Sequence, residues 1–261
     1  MQIRYVKMQG AGNRIVVVDQ RERELPPPPV DVVRKLGDED SGPGFDQLMW
    51  VSAAARTGSA GSYRVFNRDG SEVEQCGNGV RCVARLLAPE AGNSFTLDSL
   101  AGPVEIRVED NDSISVNMGR ASVEQSTLDV GGETHEVSLV SVGNPHCVLQ
   151  VDDVDSAPVD TLGPAIENHA RFPDRINAGF CQVQDRERIR LRVHERGVGE
   201  TLACGTGACA AVVAGRALGL LDERVHVLLP GGQLVVSWRG GDSAVWMTGD
   251  AEILSEGIID L

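Results

Sequence analysis

The 261-residue sequence has no long apolar run, no Cys-x-x-Cys pair and only two lysines. No apolar stretch approaches the roughly 20 residues of a membrane-spanning helix, and the amino terminus lacks the apolar core of a signal peptide. The formal net charge of -14 repels phosphate backbones and anionic lipid surfaces. These features predict a cytoplasmic globular protein with neither nucleic acid nor a membrane as partner.

The six cysteines do not form a pattern that predicts disulfides or a zinc site. They are Cys76, Cys82, Cys147, Cys181, Cys204 and Cys209. A chain of this length buries a core without disulfide support, and the spacing matches no tetrahedral zinc motif. We therefore expect free thiols in a reducing compartment and no metal.

The sequence repeats itself at a nearly constant offset. The segment from Cys76 to Gly79 reads Cys-Gly-Asn-Gly, and the segment from Cys204 to Gly207 reads Cys-Gly-Thr-Gly, at an offset of 204 − 76 = 128 residues. Nine positions upstream of each cysteine, a polar residue ends a strand-like run, namely Asn67 and Glu195. Repeats of this kind predict two homologous halves, residues 1–120 and 121–249.

Each half reads as strands, then one helix that begins at the cysteine, then three short strands. The first helix is expected to stop near Pro89 and Gly92. The second, around 208–214, is apolar on nearly all sides and should be buried. Residues 26–29 and 38–44 read as surface loops. Gly10-Ala11-Gly12 lacks the third glycine of a dinucleotide-binding loop, and we discard that interpretation.

A helix that begins at Cys-Gly-x-Gly suits acid–base chemistry on an amino acid. The free N–H groups of the first turn attract an anion such as a carboxylate, and the same field lowers a cysteine pKa. Two such thiols on opposite faces of one α-carbon would invert it, because a thiolate removes the proton and a thiol returns one. Pyridoxal phosphate needs a lysine, and neither Lys7 nor Lys35 has a suitable setting. The residues thus predict a cofactor-independent amino-acid racemase or epimerase.

An ordered set of short motifs resembles diaminopimelate epimerase along almost the whole chain. The motifs are Gly12-Asn13, residues 44–47, Phe66-Asn67, residues 75–79, residues 143–146, residues 177–180, residues 195–197 and residues 203–209. The resemblance implies a mixed α/β (α+β) fold of two pseudo-symmetric halves, each a mixed sheet curled into a barrel-like shape around a central helix. It also implies an active site in the cleft between them, a last strand at 250–261 that returns to the first half, and a homodimer. The implied reaction interconverts L,L- and meso-diaminopimelate, for lysine and peptidoglycan synthesis, without a cofactor.

The resemblance also implies a role for each matching residue. Cys76 and Cys204 would be the acid–base pair, with His146 and Glu195 tuning their pKa values. The reacting centre and its carboxylate would be surrounded by Asn13, Gln47, Gly77, Asn78, Gly205 and Thr206. The distal amino-acid centre would be held by Asn67, Asn144, Asn177, Glu195 and Arg196. This makes physical sense because an arginine binds a carboxylate through a planar fork and a glutamate accepts from an ammonium group.

Two rival hypotheses remain open, and three positions depart from the family pattern. A proline or hydroxyproline racemase would also use two thiols, but its substrate has no distal zwitterionic centre for Glu195 and Arg196 to bind. A non-catalytic amino-acid-binding or thiol-redox protein would use the cysteines differently. The departures are Arg14-Ile15 for a usual Asp-Phe pair, His194 for a usual tyrosine, and Thr206 for a common serine.

Overall fold

The computed structural model describes residues 2–23, 25–73 and 76–260, which form two compact units. The first unit is Met1–Asn117 with Thr248–Leu261, and the second is Met118–Met247. Gln75, which precedes the first cysteine of the repeat, lies outside the described residues.

The first unit is a mixed sheet with two helices. Its elements are β1 (Gln2–Gly10), β2 (Asn13–Asp19), α1 (Val30–Gly37), β3 (Gln47–Ser52), β4 (Gly61–Asn67), β5 (Glu72–Val73), α2 (Gly77–Ala91), β6 (Ser94–Ser99), β7 (Gly102–Val108), β8 (Ile114–Arg120) and, at the end of the chain, β18 (Glu252–Asp260). The strand order is β18-β1-β2-β3-β4-β6-β7-β8, with parallel pairs at β2·β3 and β4·β6. The final strand thus pairs with the first, from Gln2 opposite Asp260 to Gln9 opposite Glu252.

The second unit follows the same plan. Its elements are β9 (Ser122–Val130), β10 (Glu133–Ser141), β11 (Pro145–Gln150), α3 (Val159–Glu167), β12 (Asn177–Asp185), β13 (Arg188–Glu195), β14 (Gly199–Thr201), α4 (Gly205–Ala217), β15 (Arg224–Leu229), β16 (Gly232–Ser237) and β17 (Ala244–Gly249). The order β9-β10-β11-β12-β13-β15-β16 repeats that of β18-β1-β2-β3-β4-β6-β7, with parallel pairs at the same two steps. The mixed α/β class is confirmed. The origin of residues 1–120 and 121–249 as repeats stays a prediction.

The two helices that follow the cysteines are packed by strands of their own units. In α4, every residue from Gly207 to Gly215 is buried, and the helix packs on β10, β11, β12 and β16. This confirms the prediction of a buried second helix, which has no polar face to expose. Helix α2 packs on β1, β2 and β3 and ends before Gly92, whose φ of 83° is favourable only for a residue without a side chain.

The predicted end of α2 near Pro89 and Gly92 is confirmed, because the helix ends at Ala91 with Pro89 in its last turn. One part of the helix prediction is wrong. Each unit has a second helix, α1 or α3, which the sequence did not reveal. Both are short, at 8 and 9 residues, and α3 contains Pro164. Neither segment is therefore long enough for a helical pattern of apolar residues to be recognised in the sequence. They still contribute to the cores, α1 through Val33 and Leu36 and α3 through Val159 and Ile166.

Candidate active site

Cys76 lies at the amino-terminal end of α2 with its sulfur facing the first turn. Its backbone is extended, at φ -143° and ψ 104°, and its sulfur accepts a hydrogen bond of 3.3 Å from the N–H of Gly79. The side chain is partly exposed. A helix start and an N–H donor both stabilise negative charge, so this position favours the thiolate form of cysteine more than a position in an open loop would.

Asn78 and Gln47 each present a buried acceptor without a protein partner. Asn78 is only 2% exposed, and its Oδ1 atom has no hydrogen-bond partner. Gln47 begins β3, and its Nε2 donates to Oδ1 of Asn67, directly across the β3·β4 pair, at 3.1 Å, whereas its Oε1 is buried and unpaired. Buried polar atoms are almost always satisfied, so both acceptors are suited to a polar ligand.

Asp46 connects the strand ends that carry Asn13, Gln47 and Asn67. Its side chain accepts from the Arg14 backbone N–H at 2.8 Å and from the Arg14 guanidinium at 3.2 Å. Its backbone N–H donates to the Arg14 carbonyl, and its own carbonyl accepts from the Arg68 N–H. The departure at Arg14 therefore has a structural role in this chain, since it joins β2 to Asp46 and also pairs with Glu39.

Cys204 occupies the matching position before α4, but its surroundings are different. The residue is only 4% exposed, and its sulfur lies 3.0 Å from Oε2 of Glu195. Because a carboxylate only accepts, the S–H must donate. Burial, followed by the charge of Glu195 and the hydrogen bond to it, raises the pKa of Cys204 well above its usual value. Cys204 is therefore a thiol at neutral pH.

His146 reaches the same sulfur through Thr206. Its Nε2 lies 3.1 Å from Asn144 Oδ1 and 3.0 Å from Thr206 Oγ1, and that hydroxyl is 3.6 Å from the Cys204 sulfur. Burial, assisted by the positive charge of Arg196, lowers the pKa of His146 to about 3, so the ring is neutral. With Nε2–H shared between the two oxygens, the Thr206 hydrogen can point at the sulfur, which stabilises a thiolate when one forms.

The turn after β13 holds Glu195 and Arg196 in a fixed backbone conformation. Asn177 is 4% exposed; its Oδ1 accepts from the Arg196 N–H at 2.9 Å and its Nδ2 donates to the Pro145 carbonyl at 3.0 Å. Glu195 Oε1 accepts from the Thr201 hydroxyl at 2.6 Å. The Arg196 side chain is exposed and donates to the Asp174 carbonyl. Arg196 is thus accessible to a ligand, whereas Asn177 is committed to holding the turn.

Glu195→Gln should lower the pKa of Cys204. The substitution removes the negative charge and the charged acceptor, two of the three causes that raise this pKa, and leaves burial in place. Thiolate formation, and hence alkylation of Cys204 by iodoacetamide, should begin at a lower pH than in the parent protein. The measurement is the pH dependence of alkylation in a Cys76→Ala background, read by mass spectrometry of the Cys204 peptide. An unchanged or upward-shifted profile would contradict the role of Glu195.

The other four cysteines belong to the core. Cys82, Cys147, Cys181 and Cys209 are each 0% exposed, and burial raises the pKa of the first three to about 12. No disulfide joins any of the six cysteines, all of which are described. Within 2–23, 25–73 and 76–260, no cluster of three or more His, Cys, Asp or Glu side chains has the arrangement of a metal site.

The structure brings many of the predicted residues together within each unit. In the second unit, hydrogen bonds connect Asn144, His146, Thr206, Cys204 and Glu195 in one chain, and Asn177 joins Arg196. In the first unit, Gln47 joins Asn67, while Asn13 begins β2 opposite Gly10. Gly77 and Gly205 are the first residues of α2 and α4. No role was predicted for Thr201, or for Asp46, although Asp46 lies in the motif at 44–47.

The fold is that of a group of racemases, epimerases and related proteins. The chain matches a phenazine biosynthesis protein of the PhzF family from Bacillus anthracis with a TM-score of 0.75, at 15% identity over 100% of both chains. It matches a hydroxyproline epimerase from Agrobacterium vitis, solved with bound trans-4-hydroxy-L-proline, with a TM-score of 0.73 at 15% identity. That match covers 99% of this chain and 92% of the other.

The chain belongs to the diaminopimelate epimerase family. The family model matches residues 5–124 and 138–254. The diaminopimelate epimerases of Alkalilimnicola ehrlichii and Nitrosomonas eutropha are 47% and 46% identical to it, over the full length of both sequences in each case. The family resemblance inferred from the short motifs is confirmed. In the described part of the chain, no helix is long and apolar enough to cross a membrane.

Proposed function

We propose that this protein is an isomerase that interconverts L,L- and meso-diaminopimelate with two cysteine side chains and no cofactor. The observation that carries the proposal is a cysteine at the start of a packed helix in each unit, with opposite surroundings. Cys76 accepts an N–H, whereas Cys204 donates to a carboxylate. Membership of the family supports the substrate, which would place the reaction in lysine and peptidoglycan precursor synthesis.

The two sulfurs divide the acid–base work at rest. The Cys76 thiolate removes the α-proton, and the electron pair of the broken C–H bond is delocalised into the adjacent carboxylate. The Cys204 thiol then gives its proton to the opposite face of the carbon. Cys76 ends as a thiol and Cys204 as a thiolate, which the Thr206 hydroxyl stabilises. The reverse reaction exchanges the two roles.

The helix starts supply the stabilisation that a cofactor would otherwise give. Negative charge develops on the substrate carboxylate as the α-proton leaves, and backbone N–H groups at Gly77, Asn78, Gly205 and Thr206 are suited to receive it. Removal of one comparable donor in other enzymes costs about 2.7–4 kcal/mol of transition-state stabilisation. The unpaired acceptors of Asn78 and Gln47 are suited to the α-ammonium group.

The turn at Glu195 and Arg196 is suited to the second amino-acid centre of diaminopimelate. Arg196 offers its fork to the distal carboxylate, which a simple amino acid lacks. Both oxygens of Glu195 already accept from Thr201 or Cys204, but each carboxylate oxygen has a second lone pair for an ammonium donor. Asn177 holds this turn through the N–H of Arg196. Asn67 instead accepts from Gln47, and Asn144 contacts His146.

The test of the proposal is a substrate comparison with reduced, cofactor-free protein. Chiral chromatography should show L,L-diaminopimelate converting to the meso isomer, and the reverse, with L-proline and trans-4-hydroxy-L-proline unchanged. Conversion of proline or hydroxyproline instead would keep the two-thiol chemistry and overturn the assignment of Arg196. Binding of diaminopimelate without conversion would favour a non-catalytic binding protein.

We also propose a homodimer in the cytoplasm. Strand β18 exposes three large apolar side chains, Ile253, Leu254 and Ile258, at 47%, 44% and 61%, which a second copy could cover. Six cysteines without a disulfide suit a reducing compartment.

Ile258→Glu should weaken the dimer because it replaces the most exposed of these three apolar side chains with a charged one. Sedimentation equilibrium should show a dimer for the parent protein and a shift to monomer for the variant. The control is Leu100→Glu. Leu100 is 62% exposed and lies in the turn between β6 and β7, so this variant should remain dimeric. A parent protein that is monomeric at all concentrations would contradict the proposal.

A further inference from the structure

A single buried carboxylate lies behind the turn that carries Glu195 and Arg196. Glu167 is the last residue of α3 and is only 6% exposed. Its Oε2 lies 2.8 Å from His194 Nε2, while its Oε1 accepts from the Gly197 N–H at 2.8 Å and from Arg175 at 3.2 Å. No role was predicted for Glu167 from the sequence.

The partners of Glu167 lie on both sides of Glu195 and Arg196 in the sequence. His194 immediately precedes Glu195, and Gly197 immediately follows Arg196. One carboxylate therefore holds the chain before the pair with one oxygen and after it with the other. Gly197 has a φ of 75°, so the turn also needs a backbone conformation that most residues resist. The bond from Glu167 fixes the N–H of this same residue.

The fit between α3 and β13 makes room for this contact. Gly163 faces His194, and a Cβ at this position would lie 2.7 Å from the Cβ of His194 and 2.8 Å from its Cγ. Real atoms do not approach so closely, so only glycine lets the ring pack against the helix and reach Glu167. Burial disfavours the charge on Glu167, but the bonds from His194, Gly197 and Arg175 prevail and lower its pKa.

We infer that Glu167 is a positioning residue for substrate recognition: with His194 and Gly197 it fixes the turn that presents Arg196 and Glu195. The inference rests on the proposed function, because it concerns how the distal amino-acid centre is held. Glu167 touches no substrate in this account. It acts by limiting the conformations of the turn, so that less conformational freedom is lost when the ligand binds.

The kinetic test compares three variants. Glu167→Ala should raise KM for diaminopimelate about tenfold or more, the effect of losing a hydrogen bond that orders a binding group. Glu167→Gln should recover most of this loss, since its amide oxygen still accepts from Gly197. His194→Phe keeps a ring of similar size and removes one of the two anchors, so its KM should lie between those of the parent and Glu167→Ala.

The control is a variant that destabilises the same helix without touching the turn. Val159→Ala removes buried methyl groups from α3 in the second-unit core. It should lower Tm but leave KM within about twofold of the parent, because Glu167, His194 and Gly197 are all unchanged. The effect on stability is thereby separated from the effect on positioning. If Val159→Ala raised KM as much as Glu167→Ala at a comparable loss of Tm, the effect would be general loosening and the inference would be wrong.

Hydrogen exchange tests the positioning role without relying on activity. Amide exchange in the segment 195–201 should be faster in Glu167→Ala and His194→Phe than in the parent, and unchanged in Val159→Ala. Unchanged exchange in the first two variants would overturn the inference even if the parent protein epimerises diaminopimelate. If exchange is faster in these two variants but the parent protein does not epimerise diaminopimelate, the positioning role of Glu167 is upheld and the proposed function is rejected.

Discussion

Cys204→Ala should lower the rate of diaminopimelate epimerisation by about 10²–10⁴-fold, the range in which a positioned acid or base contributes. The variant keeps the Cys76 thiolate but has no thiol to return a proton to the opposite face. Exchange of the α-proton from the face that Cys76 reaches should therefore survive, without inversion. Cys76→Ala should lose epimerisation to a similar extent and keep exchange only for the other isomer. The measurement is chiral product analysis together with proton NMR in D2O.

Each cysteine variant has a matched control in its own helix. Cys209 lies five residues after Cys204 in α4, and Cys82 lies six residues after Cys76 in α2. Both are completely buried. Cys209→Ala and Cys82→Ala should lower Tm slightly, since each removes only one buried sulfur, and should leave the rate within about threefold of the parent. Loss of epimerisation in the controls, or its survival in Cys204→Ala, would contradict the assignment of the acid–base pair.

Arg196→Met should reduce kcat/KM for diaminopimelate by about 10²-fold. It removes the fork for the distal carboxylate while keeping an unbranched side chain of similar length, and hydrogen bonds to charged groups contribute about 1.5–3 kcal/mol each. Arg196→Lys should recover only part of this loss, because an ammonium group cannot make two parallel bonds. Steady-state kinetics should show most of the change in KM, since the distal centre does not react.

Arg190→Met is the matched control for this prediction. Arg190 lies on β13, six residues before Arg196, which follows the strand, and its guanidinium pairs with Asp155 at the surface. This solvent-screened surface pair should contribute little to stability and nothing to recognition. If Arg190→Met impaired kcat/KM as strongly as Arg196→Met, the effect would reflect net charge rather than a specific contact.

The helix starts at Cys76 and Cys204 could be predicted from the sequence because their signal is local. A cysteine followed by Gly-x-Gly after a strand-like run, present at matching positions of two repeats, indicates the start of a helix from residues that are close together in the chain. The buried character of α4 was equally readable, since its segment from Gly207 to Gly215 has no polar stripe. The pairing of sulfur with carboxylate at Glu195 was foreseen only through the resemblance.

The remaining features depend on contacts between residues far apart in the chain. Asp46 is 32 residues from Arg14, and Glu167 is 27 residues from His194 and 30 from Gly197. No spacing rule connects such pairs, and a lone glutamate at the end of a short helix resembles any surface residue. The different surroundings of the two cysteines were also hidden, because the repeat makes Cys76 and Cys204 look equivalent.

The most direct test of the two-thiol account is the fate of the α-proton in the first moments of the reaction. Parent protein and L,L-diaminopimelate are mixed in D2O, and both substrate and meso product are analysed by mass spectrometry and proton NMR before about a tenth has reacted. The account predicts one deuterium at the inverted carbon of the product and none in the remaining substrate, because the proton leaves to one sulfur and a solvent-derived deuteron arrives from the other. Product that retains the original proton, or substrate that gains deuterium as fast as product forms, would mean a single base and would contradict it.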